Sequence, residues 1–97
     1  MLELSQRVKS VVERVFSTNE IELAKTLLIH DCGNNVPQCE EHTPEKMDRI
    51  RLAAIKSSNG VYAKLVEAVS LANTDWRDLL MAAGFGYDID AHNKWVP

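Results

Sequence analysis

Every strong periodicity in this 97-residue chain is helical, and that limits its fold more than any other feature. Leu4, Val8, Val11, Val12 and Val15 recur at spacings of 4, 3, 1 and 3, so they form one apolar stripe along a helix. Arg7, Lys9, Glu13 and Arg14 fall outside the stripe. So many valines would also suit a strand, but strict alternation fails. The spacing predicts a first helix over about residues 3–16.

Ser17, Thr18 and Asn19 follow as successive candidate N-caps. Ser17 with Glu20, and Asn19 with Glu22, have the spacing of a capping box. A second helix is expected over 20–31, burying Ile21, Ala24, Leu27 and Leu28, with Gly33 placed to end it in the left-handed region. Residues 33–43 lack periodicity and hold Pro37 and a Gly-Asn-Asn turn, so they read as one long loop. Thr43-Pro44 then starts a third helix over 44–57, because threonine caps and proline at the first position gives up no needed donor. Met47, Ile50, Leu52, Ala54 and Ile55 are its inward residues. Asn59-Gly60 turns into a fourth helix over 61–73, with Leu65, Ala68, Val69 and Ala72 as its stripe. Thr74 is read as the cap of a fifth helix over 75–83 that Gly84 stops. Asp88 is read as the cap of a last one over 89–95. The expected fold class is all-α: one domain of five or six short helices, orthogonal or bundle-like.

Composition narrows the function classes. Hydrophobic residues make up 45% and charged residues 26%, too apolar for a disordered tail and too charged for a membrane span. The formal net charge is −3, which argues against a nucleic-acid binder. Lys46, Arg49, Arg51, Lys56 and Lys64 are the basic set such a role would use, but Glu45, Asp48 and Glu67 offset them. The segment from Leu2 to Phe16 has no continuous apolar run, so it is no secretory signal. The cytoplasm is the expected location, and thiols there stay reduced.

Two thiols and two imidazoles flank the long loop: His30, Cys32, Cys39 and His42. Soft thiolates and imidazoles suit Zn²⁺, and Cys39-x-x-His42 is a workable turn chelate. His30 and Cys32 fit less well, since residues two apart on a helix point about 200° apart. The competing reading makes Cys32 a small buried apolar group at a helix end, with both histidines on the surface. A Cys32–Cys39 disulfide is sterically open but opposed by the compartment. Glu40 and Glu41 would raise the pKa of a Cys39 nucleophile, so an enzyme is not expected. Asp88-x-Asp90-x-His92 begins like a calcium loop, yet Asn93 stands where that loop needs glycine. No metal and no cofactor is expected.

The aromatics Phe85, Tyr87 and Trp95 cluster near the C-terminus. They are either a tail folded back on the core or a protein-contact edge, since Trp and Tyr are enriched at interface hot spots.

The stretch Asp48-Arg49-Ile50-Arg51-Leu52-Ala53-Ala54-Ile55-Lys56, followed by Gly60, Lys64-Leu65, Ala72 and Asp75-Trp76-Arg77-Asp78-Leu79-Leu80, resembles a group of small uncharacterised bacterial proteins. The resemblance covers about residues 47–85. It implies a bacterial origin and an all-helical fold, and carries no activity. Within it, Arg51 and Arg77 are expected to pair with carboxylates such as Asp48 or Asp78. The leading functional expectation is a non-catalytic helical protein acting through contact with another protein or with itself. Its alternatives are a zinc-binding or redox-sensitive loop protein and a weak nucleic-acid binder.

Overall fold

The computed structural model describes residues 3–37 and 42–97. Ser5 sets the first helix. Its backbone is extended and its hydroxyl accepts from the Val8 amide at 3.2 Å, so α1 runs Gln6–Val15 and starts later than the stripe alone suggests. Only Phe16 and Ser17 separate α1 from α2, Thr18–Asp31. α2 begins two residues ahead of the expected start; Ser17 takes the cap position, and its hydroxyl donates to the Glu20 carboxylate at 3.2 Å.

Thr43 caps α3, Pro44–Ser58, as the sequence predicts: its hydroxyl accepts from the Lys46 amide at 3.2 Å and Pro44 follows. Asn59 and Gly60 both adopt positive φ, 51° and 78°, and reverse the chain into α4, Tyr62–Ala82. A Cβ on Gly60 would lie 2.8 Å from the Val15 carbonyl oxygen, so glycine lets this turn seat against the end of α1. Gly33, by contrast, is not in the left-handed region; Cys32 ends α2 at φ −130°.

The expected fourth and fifth helices are one run, α4, broken at a single residue. Asp75 has φ −155° and ψ 90°, and its carboxylate accepts from the Arg77 and Asp78 amides at 3.2 and 3.3 Å. Asp75, not Thr74, is therefore the cap of the second half. Asn73 just before the kink donates to the Asp31 carbonyl at 2.7 Å and accepts from Asn35 at 2.8 Å, tying α2's end to α4. The last helix is shorter than expected, α5, Ala91–Lys94. Asp88 shapes the turn before it by accepting from the Asp90 amide at 2.9 Å and pairing with Lys94 at 2.8 Å.

α3 is the central element. It packs most extensively on α4, and also touches α1 and α5. Every residue from Ile50 to Ile55 is buried, which exceeds the stripe read from the sequence. The six-residue run is apolar all round except at Arg51, and such a helix belongs inside. Arg51 itself is fully buried, donating from Nε to the Cys32 carbonyl at 2.8 Å and from Nη1 to the Glu3 carbonyl at 2.9 Å. It holds backbone carbonyls of two other segments, and the charge of Asp48, one of the carboxylates expected beside it, favours its ionised form. Among the described residues there is no strand, and no helix is long and apolar enough to cross a membrane.

Candidate functional site

The first two turns of α3, the half of α4 beyond Asp75 and the segment leading into α5 enclose a cleft of about 390 Å³. That volume is within the range of sites that take a small group or side chain. Local structure explains the lining. Glu45, Lys46, Arg49 and Ile50 lie at spacings of 1, 3 and 1, on one face of α3. The cap at Asp75 restarts α4 so that Trp76, Arg77 and Leu80 face the same space. Ile50 and Leu80 are buried and form the floor; half-buried Trp76 and Ile89, which is 70% exposed, form the apolar walls.

Charge surrounds that apolar surface. Lys46, Arg49 and Arg77 line the cleft against Glu45 and Asp90. Among the described residues the ion pairs are Lys25–Glu13 and Lys94–Asp88, so none of these three cations is in one. The Arg77 guanidinium lies 5.3 Å from the centre of the Trp76 ring, a cation–π arrangement at the cleft wall. A surplus of positive charge in a chain of net charge −3 is a local asymmetry.

His92 completes the lining and is 9% exposed. Its Nδ1 is buried and has no hydrogen-bond partner; the same holds for Arg49 Nε, Arg7 Nε and one carboxylate oxygen of Asp48. Burial lowers the His92 pKa below its ordinary value, with Arg49 and Arg7 adding repulsion and Asp48 and Asp90 opposing it. Burial raises the Asp48 carboxyl, while Ser5, His92 and Arg51 pull it back. Two arginines fasten the C-terminal segment over this cluster. Arg7 donates from Nη2 to the His92 carbonyl and, at 2.9 Å, to the Trp95 carbonyl. Arg49 donates to the Phe85 carbonyl at 2.7 Å.

The three aromatics expected at a contact edge separate. Phe85 is 1% exposed and belongs to the core, with half-buried Trp95 packed on it at 6.1 Å and Lys56 over its ring at 5.0 Å. An edge built on Phe85 is therefore corrected: the tail folds back because Arg7 and Arg49 hold its carbonyls. Tyr87 alone of the three stands out, at 87% exposure.

Among the described residues, the thiol–imidazole set is not gathered either. Cys32 is fully buried, and burial pushes its thiol up to about 12. His30 is exposed on the last turn of α2, and the His42 ring is bonded to the Val36 carbonyl at 2.6 Å. Cys39 lies outside the described residues, and with it the Cys39-x-x-His42 chelate and the Cys32–Cys39 pair. No group of three or more His, Cys, Asp or Glu that could hold a metal occurs among the described residues. The basic set of α3 and α4 does not form one face, because Arg51 is buried while Lys46 and Lys64 are exposed.

The cleft is not foreseen by any spacing in the sequence. Its signals are Lys46 and Arg49, four residues and one residue before the buried run, and the adjacent Trp76-Arg77 after a cap. Nothing in the sequence brings Ile89 and His92 beside them; the long-range bonds from Arg7 and Arg49 do. Comparison with family models, curated proteins and solved structures finds no match.

Proposed function

We propose that this chain is a small non-catalytic helical module that works through protein contacts, and that the α3–α4–α5 cleft is where contact is made. One observation carries the reading. The cleft joins accessible apolar surface on Trp76 and Ile89 to cations that are in no ion pair among the described residues. Aromatic and arginine side chains are the types enriched at the energetic centres of interfaces, and here they are adjacent.

The test is differential capture. The protein and its Ile89→Glu variant are immobilised and exposed to lysate of the native host, with Val66→Glu as a control on a different exposed position. The reading expects a species retained by the parent and the control and lost with Ile89→Glu. Equal retention by all three, or none by any, would overturn it.

A further inference from the structure

Resting on that reading, we infer that the cleft recognises an acidic, aliphatic peptide segment of a partner protein, with a carboxylate set between Lys46, Arg49 and Arg77 and an apolar side chain on Trp76 and Ile89.

Charge complementarity argues for the acid. Three cations face two acids in this cleft, while the chain as a whole is acidic. Partners that neutralise such a local surplus gain charge-assisted hydrogen bonds. A carboxylate is an acceptor-only group with two oxygens, so it can take hydrogen bonds from more than one of the lysine and arginine side chains that line the cleft. The apolar half of the ligand follows from Trp76 and Ile89. A free carboxylic acid of small size would leave that wall uncovered. A basic or neutral segment would leave the positive surplus of the cleft unmatched.

Specificity is readable with defined probes. Backbone-amide NMR of the full chain is followed while adding Ac-Leu-Glu-Leu-Glu-Leu-amide, its Gln and Lys counterparts, and free glutamate. The inference expects saturable shifts at Trp76 and Ile89 with the Glu peptide and about tenfold weaker binding of the Gln peptide. The Lys peptide and free glutamate should give none. Arg77→Gln and Lys46→Gln, both exposed positions, should each weaken the Glu peptide about threefold, and Lys64→Gln should not. Binding should also fall between about 20 and about 200 mM salt.

Equal binding of the Glu and Gln peptides at the cleft would overturn the acidic preference and leave the contact reading standing. Free glutamate binding as well as the peptide would overturn the peptide assignment. Absence of shifts with every probe would overturn the inference. Light scattering would then separate a dimer that already covers the cleft, in which the contact reading survives with a second copy as occupant, from a monomer.

Discussion

The Nε of Arg51, in the middle of the central helix, donates to the carbonyl of Cys32 at 2.8 Å. The bond joins the end of α2 to α3, and the same guanidinium reaches the Glu3 carbonyl ahead of α1. One buried side chain thus ties the end of α2 and the segment ahead of α1 to the central helix.

Replacing Arg51 should cost stability through the carbonyls it leaves behind. The Cys32 carbonyl loses a buried donor, at about 1–3 kcal/mol, the part-buried Glu3 carbonyl loses less because water can reach it, and release of the buried charge offsets part of that. Arg51→Leu is expected to lower the unfolding free energy by about 2 kcal/mol, and Arg51→Lys by less, since an ammonium lacks the planar fork. Urea unfolding of the three proteins measures it. An Arg51→Leu protein within about 0.5 kcal/mol of the parent would contradict this role.

The Cys32 thiol should be inert. It is fully buried and its pKa is pushed up to about 12, chiefly by burial. The nucleophile in thiol labelling is the thiolate. In a Cys39→Ser background, a disulfide reagent at neutral pH should leave Cys32 unlabelled until urea is added. Rapid labelling of the native protein would show that α2's end opens readily.

The two left-handed glycines should differ when changed to alanine. At Gly60 a Cβ meets the Val15 carbonyl oxygen at 2.8 Å in addition to the unfavourable φ of 78°. At Gly84 the nearest atom is the flexible Lys56 ammonium at 3.6 Å, so only the φ of 80° matters. Gly84→Ala is expected to cost about 1 kcal/mol and Gly60→Ala about 2–3 kcal/mol. Thermal or urea unfolding gives the order, and the reverse order would contradict the close approach of α1.

Acid should weaken the fold through His92. Burial lowers its folded pKa below the ordinary 6.5, so between those two values the unfolded chain binds the extra proton. This contribution is fully present above pH 6.5 and is lost as pH falls through the folded pKa. Asp48, whose carboxyl is raised mainly by burial, acts in the opposite sense, and its contribution is lost as pH rises through its folded pKa. Unfolding free energies at about pH 7.5 and about pH 5.5 should differ less in His92→Gln than in the parent. The same slope in both proteins would remove His92 as the cause.

Local rules carried the helices and failed at their long-range joins. Thr43-Pro44 and Asn59-Gly60 act through neighbouring atoms, so the sequence locates the start and end of α3 to within a residue. Thr74 and Asp75 are both capping residues one position apart, and choosing between them depends on how α4 bends over α2, which Asn73 and Asp31 decide. Arg51 reads as a surface charge in any local window; only burial of the whole Ile50–Ile55 run places it inside. The cleft is less legible still. His92 reaches α3 because Arg7, 85 residues earlier, grips its carbonyl, and no spacing in the sequence encodes that contact.

Mapping the contact directly is the most stringent measurement. Amide shifts of the labelled protein are recorded with and without the species retained from the host lysate. The expected result is a contiguous set of changes over Lys46, Arg49, Trp76, Arg77 and Ile89. Changes confined to the exposed apolar positions elsewhere, Leu23, Val61 and Val66, with the cleft unmoved, would contradict the proposed site.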